Sequence, residues 1–161
     1  MKQEFLSKIT ENQKIIHKVC SVYCFDTESR KDLFQEILVQ LWKAYPSFKG
    51  NSKFSTWMYR VSLNTAITYF KKEKKGFFTQ SIENETLQIS AGCVDEEFEL
   101  RVELLHQSIA TLSSIEKSIV LLYLEEKKYE EISEILGITQ NNVRVKMSRI
   151  KDKLRKIMNP R

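Results

Sequence analysis

"YEEISEILGITQNNVRVKMSRIKDKLRK", residues 129–156, changes character at its centre. Up to Gly137 its polar positions are acidic, with Glu130, Glu131 and Glu134. From Thr139 onward they are basic, with Arg144, Lys146, Arg149, Lys151, Lys153, Arg155 and Lys156 against the single acid Asp152. Ile132, Ile135 and Leu136 share one face of a short helix, and Gly137 stands where a helix end favours a left-handed residue without a Cβ. Thr139 can cap the helix that follows. In that helix Val143, Met147, Ile150, Leu154 and Ile157 recur at spacings of four, three, four and three, one unbroken apolar stripe. At 100° per residue, Asn141, Asn142, Arg144, Val145, Ser148 and Arg149 then point sideways or away from the stripe. These groups can contact base edges: Arg with guanine, Asn with adenine, Val with the thymine methyl. Lys146, Lys151, Lys153, Arg155 and Lys156 are placed for phosphates. A solvated basic helix packed on its neighbours would explain the charge alone. The tight two-helix turn and the Asn/Arg-rich start of the second helix favour helix-turn-helix DNA binding.

Just upstream, Ser113 is followed three residues later by Glu116. This is the capping-box spacing, in which hydroxyl and carboxylate satisfy free backbone N–H groups at a helix start. The whole chain suits an all-α fold. It has four Gly and two Pro in 161 residues, and no alternating apolar/polar run of strand type.

Charge is distributed in three blocks. Residues 1–75 hold 14 Lys+Arg against 7 Asp+Glu, or +7. Residues 76–100 hold none against 6, or −6, and residues 101–161 hold 12 against 8, or +4. The net charge of +5 permits a nucleic-acid partner. The middle block, "GFFTQSIENETLQISAGCVDEEFEL", carries two of the four glycines and reads as a linker. The expected division is a domain over 1–75, an acidic linker over 76–97 and a helix-turn-helix domain over 98–161.

No stretch approaches the roughly 18 uninterrupted apolar residues of a membrane span. The N-terminus, MKQEFLSKIT, has charges where a signal peptide needs an apolar core. A cytoplasmic chain is expected, and its three cysteines, Cys20, Cys24 and Cys93, are expected reduced. His17, Cys20 and Cys24 share a helical face, but a structural zinc site wants four ligands, so no metal is expected. Neither a Gly-rich phosphate loop nor paired carboxylates appear, so no cofactor and no enzymatic activity are expected.

The stretch "LSSIEKSIVLLYLEEKKYEEISEILGITQNNVRVKMSRIKDKLR" resembles region four, the C-terminal DNA-binding domain of bacterial RNA polymerase sigma factors. The matching positions are Leu112, Tyr129, Glu131, Ile132, Leu136, Gly137, Ile138, Val143, Arg144, Lys146, Arg149, Leu154 and Arg155. The chain departs from the family at Lys128, where Ser or Thr usually caps, and at Asn141-Asn142, where Gly-Thr is common. The resemblance implies duplex (minus-35) contacts by Gln140, Asn141, Asn142, Arg144, Val145, Lys146, Ser148, Arg149 and Lys153.

In the N-terminal half Leu33, Phe34, Ile37, Leu38, Leu41 and Tyr45 form one apolar helix face, and Pro46 and Gly50 break the chain before a third helix near Phe54. That helix mixes aromatics with polar donors: Trp57, Tyr59, Arg60, Asn64, Tyr69 and Phe70, then a lysine run. Ring stacking plus a basic track is how single strands are held, although Phe54 and Trp57 read first as core. "DLFQEILVQLWKAYPSFKGNSKFSTWMYRVSLNTAITYFKK" resembles the family's region two. By position, the resemblance implies docking on the β′ clamp helices of core polymerase through Asp32, Gln35, Glu36 and Lys43, with Trp42 beside them. It implies melted (minus-10) DNA at Phe48, Lys49, Asn51, Lys53, Arg60, Asn64, Lys71 and Lys72. Thr68 stands where many relatives have Asp.

Regions two and four with only a linker between them resemble the extracytoplasmic-function (ECF) group. The resemblance implies an all-α fold with a three-helix N-terminal and a four-helix C-terminal domain. It also implies a monomer that binds core RNA polymerase (β′ clamp helices and β flap) and promoter DNA, and that an anti-sigma factor restrains. The rival is an ordinary helix-turn-helix regulator with a helical sensor or dimerisation domain, which would bind paired half-sites as a dimer. A sensor domain has no need of Asp-Leu-x-Gln-Glu followed by an aromatic, basic helix.

Overall fold

The computed structural model describes residues 2–76 and 96–159, with the side chains of 72–76 outside the description. Regular structure among the described residues is helical: α1 (Lys2–Glu11), α2 (Gln13–Tyr23), α3 (Thr27–Ala44), a 3-10 turn (Tyr45–Ser47), α4 (Phe54–Gly76), α5 (Glu96–Ala110), α6 (Ser114–Leu124), α7 (Tyr129–Leu136) and α8 (Gln140–Met158). The linker expected over 76–97 lies, apart from its ends, outside the described residues, as does Cys93.

The N-terminal half has four helices where three are expected. The additional break is at Asn12, whose amide donates to the Lys8 carbonyl at 2.9 Å. A side chain that competes for a backbone acceptor in this way ends one helix and lets the next start at a new angle. α3 begins on Asp26, whose carboxylate accepts from the Ser29 N–H at 2.9 Å. Along α3, Leu33, Ile37 and Leu41 are fully buried, as are Met58, Leu63 and Ala66 of α4 and Ile16 and Val19 of α2. These three helices pack on one another. Full burial of each large aliphatic side chain contributes roughly 1.5–3 kcal/mol.

In the C-terminal half the capping box forms. The Glu116 N–H donates to Ser113 Oγ at 3.2 Å and the Ser113 N–H to Glu116 Oε1 at 3.1 Å. Gly137 ends α7 at φ +71°. Ser133 fastens that turn from both directions, its carbonyl accepting the Gly137 N–H at 2.9 Å while its hydroxyl donates to the Ile138 carbonyl at 2.5 Å. Thr139 Oγ1 then accepts the Asn142 N–H at 3.1 Å. Lys128 starts α7 without a side-chain cap, and Glu130 and Glu131 occupy the first turn, where negative charge favours a helix N-terminus. α2 and α4 of the first half pack against α5, α6 and α7 of the second, so a single buried core runs through both.

Candidate nucleic-acid interface

The helix-turn-helix puts adjacent residues of α8 to opposite uses. Val143 is fully buried, while Val145 is 40 % exposed. Met147 and Ile150 join Val143 in the core, with Leu154 and Ile157 half-buried. The face left outside carries Gln140, Asn141, Asn142, Arg144, Val145, Ser148 and Arg149, all exposed, with Lys146 half-buried beside them. Amide, guanidinium and methyl groups on an exposed helix N-terminal half match the donor and methyl pattern of a major groove.

Lys153 is differently placed. Its ammonium donates to both carboxylate oxygens of Glu116, at 3.1 and 3.0 Å, which ties α8 back to the start of α6. Burial raises the Glu116 pKa, but Lys153 and the Ser113 bonds outweigh it and hold the carboxyl below its ordinary value. Lys151 lies 5.0 Å from the Tyr123 ring centroid, a cation–π distance.

On α4, Arg60, Asn64, Thr68 and Lys71 are exposed. Spacings of four, four and three put them on one side of the helix. The Lys72 side chain lies outside the described residues. Before α4, Lys49, Asn51 and Lys53 are exposed around Gly50 at φ +74°. Phe48 is not a free ring: its centroid lies 5.6 Å from Phe54 and 5.1 Å from Trp57. Tyr45 extends this cluster to Trp57 and to Phe5, which meets Trp42 edge-on at 5.1 Å. Lys8 stands 5.5–6.0 Å from the rings of Tyr45, Phe48 and Phe54. Arg60 also has an intramolecular partner, since its Nη2 donates to the Glu134 carbonyl of α7 at 2.7 Å.

A groove of about 480 Å³ runs between α3 and α4, lined by Glu36, Gln40 and Ala44 on one side and Asn64, Thr65, Thr68 and Tyr69 on the other. It brings Glu36 and Asn64 to one depression. Glu36 accepts from Gln40 Nε2 at 3.1 Å, so it is less available than Asp32, Gln35 and Lys43, which are exposed. Between these polar groups Val39 and Trp42 are 44 and 46 % exposed, giving α3 a mixed apolar and polar outer stripe. Val39 has one signal in the sequence, a valine standing outside the buried Leu33-Ile37-Leu41 face.

His17, Cys20 and Cys24 have structural surroundings. His17 stacks on Phe34 at 4.9 Å, and both cysteines are buried. Burial pushes the Cys20 thiol up to about 11 against the opposing Arg30 charge, so it stays protonated and unreactive near neutrality. No cluster of three or more His, Cys, Asp or Glu suited to a metal occurs among the described residues, and no described helix is long and apolar enough to cross a membrane.

Comparison with known proteins gives two family matches: Sigma-70 region 2 over residues 9–76 and Sigma-70, region 4 over residues 102–154. The chain is similar to RNA polymerase sigma factor YlaC of Bacillus subtilis, 32 % identical over 135 residues that cover 81 % of this chain and 78 % of that protein. It is 27 % identical to the ECF RNA polymerase sigma factor SigW of the same organism, covering 88 % of this chain and 81 % of that one. In fold it matches the sigma factor RpoE of Bartonella quintana, solved with the anti-sigma factor NepR, at a TM-score of 0.73 and 17 % identity over 97 % of both chains. CnrH, solved with the cytosolic domain of CnrY, matches at a TM-score of 0.70 and 14 % identity over 99 % of this chain and 90 % of that one.

Proposed function

The chain belongs to the RNA polymerase sigma factors, as an ECF member built from regions 2 and 4, and we propose that its two halves divide promoter recognition between them. Its function is to bind core polymerase and direct promoter recognition and opening; it is not an enzyme. What we assign to particular residues is the division of work. Residues 98–161 read the upstream element as duplex through Gln140, Asn141, Asn142, Arg144, Val145, Lys146, Ser148 and Arg149. Residues 1–75 grip polymerase through the α3 stripe of Asp32, Gln35, Val39, Trp42 and Lys43, with Glu36 at its edge. Lys49, Asn51, Lys53, Arg60, Asn64, Lys71 and Lys72 line the path of the melted strand. Lys153 drops out of the reading set because Glu116 holds it. Phe48 serves by shaping the loop rather than by stacking on a base.

The observation that carries this reading is the split on α8, where Val143, Met147 and Ile150 are buried and Asn141, Arg144, Val145 and Arg149 stand outside. The bases would be read by the outer set while the inner set fixes the helix. We further assign the protein to the cytoplasm, as a monomer, with an anti-sigma factor as its restraint; the similar fold of RpoE, solved with the anti-sigma factor NepR, supports that last step.

Run-off transcription with purified core enzyme and genomic fragments tests the whole reading: specific start sites are expected with the chain and none without it. Asp32→Lys tests the docking stripe. It reverses an exposed charge and should weaken capture of core polymerase while thermal stability stays within about 0.5 kcal/mol. Undiminished capture would remove Asp32 from the interface.

A further inference from the structure

We propose that Lys8 of α1 is a positioning residue for the melted strand. Its ammonium, seated among the rings of Tyr45, Phe48 and Phe54, clamps both stems of the loop that leads into α4 and so sets Lys49, Asn51 and Lys53 in place. The link to the strand rests on the assignment of that loop to melted DNA; the hold of Lys8 on the loop does not.

The loop needs a hold at its stems. Gly50, at its apex, turns at φ +74°, and nothing lies within 4 Å of a Cβ built there. The side chains of Lys49, Asn51 and Lys53 are exposed. The shape of the loop is therefore set by the two residues that bound it. Phe48 opens the loop with its N–H donated to the Tyr45 carbonyl at 3.0 Å, and Phe54 begins α4. Their rings meet at 5.6 Å and 82°.

Lys8 reaches this closure from a separate element. Phe5 and Ile9, 5 and 7 % exposed, root α1 in the core, and Phe5 meets Tyr45 edge-on at 5.1 Å. Three residues on, along the same side of the helix, Lys8 Nζ lies 6.0 Å from the ring centroid of Tyr45, 5.7 Å from that of Phe48 and 5.5 Å from that of Phe54. An ammonium at such distances is drawn to the ring face, so one charge attracts both stems at once. The stretch 48–54 contains no acid, so it holds the ammonium by its rings and not by an ion pair. The competing partner is Glu4, 3.6 Å away on α1 itself, and exposed pairs of that spacing are weak.

A loop kept in its binding shape binds with its full affinity, whereas one that samples other shapes binds in proportion to the competent fraction. Lys8 thus raises strand affinity without touching the strand.

The test uses the full chain. Lys8→Gln keeps a helix-forming side chain and removes the charge, while Lys8→Arg keeps a cation that stacks on rings. Both replace a partly exposed side chain, and circular dichroism verifies that each variant is folded. The chain has two tryptophans, so a Trp42→Phe background leaves Trp57, 5.1 Å from Phe48 and 5.3 Å from Phe54, as the sole reporter on the cluster. There Lys8→Gln should open Trp57 to acrylamide quenching, and Lys8→Arg should not. In the chain with Trp42 kept, Lys8→Gln should bind a fluorescein-labelled random-sequence single strand about three- to five-fold more weakly. Lys8→Arg should bind it as the parent does, and neither change should alter binding to a random-sequence duplex. Added to the triple variant Lys49→Ala, Asn51→Ala, Lys53→Ala, Lys8→Gln should cost nothing further, because two residues that act through one contact are not additive.

Unchanged quenching in Lys8→Gln overturns the hold on the loop. A further loss in the triple variant, as large as in the parent, would make Lys8 itself a phosphate contact and overturns the positioning role. An equal loss on the duplex would reduce the effect to net charge and overturns it as well. If the triple variant binds the strand as tightly as the parent, the assignment of this loop to melted DNA falls, and the quenching measurement still decides the hold of Lys8 on its own.

Discussion

In α8 the exposed Arg144 and Val145 owe their position to neighbours in sequence: Ser133 across the turn, Gly137 at φ +71°, Thr139 at the cap. Around α4 the exposed Lys49, Asn51 and Lys53 owe theirs to rings gathered from afar. Phe5, Trp42, Tyr45, Phe48, Phe54 and Trp57 come from α1, α3, the 3-10 turn, the loop and α4. A regular helix suits duplex DNA, whose grooves present bases in a fixed register. A loop braced by aromatics suits a melted strand, whose bases can be splayed to fit. Local bonding makes the first surface robust, and tertiary packing makes the second sensitive to distant changes.

Trp57→Ala should show the largest effect of that difference. Its ring lies 5.1 Å from Phe48, 5.3 Å from Phe54 and 6.2 Å from Tyr45, so its loss should cost about 3 kcal/mol of stability. Single-strand binding should fall, while binding of an upstream duplex, measured well below the melting temperature, should hold. Parallel losses on both DNAs would mean that the two surfaces are not separately built.

Arg144→Ala comes next and probes the other side. If the guanidinium reads a base, about 1–3 kcal/mol is lost on the cognate duplex and little on scrambled DNA. Equal losses on the two duplexes, in fluorescence anisotropy, would make Arg144 a phosphate contact and bring the halves closer in kind.

The same contrast decides what was legible in the sequence. Capping box, left-handed glycine and threonine cap are signals spanning three or four residues, and the structure has all three. The buried faces of α3 and α8 follow from periodicity, because burial on a helix repeats with its turn. Region 2 hid more. The break at Asn12 depends on one amide choosing a carbonyl, and neither the ring cluster around Phe48 nor the Phe5–Trp42 pair has a sequence period. Lys153 and Arg60 read as free cations because their acceptors, Glu116 and the Glu134 carbonyl, lie 37 and 74 residues away. Long-range pairing of this kind is set by tertiary geometry, and no local pattern announces it.

Gly137→Ala measures how firmly the local plan depends on its turn. Nothing lies within 4 Å of a Cβ built there, so the cost is backbone strain alone, about 1–2 kcal/mol for a side chain in the left-handed region. The denaturant midpoint should drop with an unchanged slope, and upstream-duplex affinity should weaken while single-strand affinity does not. A neutral result would show that the Ser133 bonds alone fix the turn.

The smallest effect separates the two halves by pH. Glu116 and Asp26 each accept a backbone N–H at a helix start, but Glu116 also holds Lys153 of α8. The Asp26 carboxyl is lowered chiefly by the Ser29 backbone bond. Burial raises that of Glu116, and Lys153 and Ser113 more than reverse it. A carboxyl depressed in the folded state stabilises fully above its unfolded value, about 4.3 for Glu, and less as pH falls through the folded value. Glu116→Gln keeps an acceptor for Ser113 and loses the ion pair, so it should cost about 1 kcal/mol at pH 7. That gap should close as the pH drops below the folded value, where the parent carboxyl is protonated too. Asp26→Asn, where the Arg30 charge is the smallest of the causes that lower the carboxyl, should cost less at pH 7. Thermal melts of the three proteins between pH 7 and pH 3 give both comparisons. A Glu116 gap that persists in acid would assign its effect to packing between α6 and α8, and the charge link would then add nothing to the local plan of region 4.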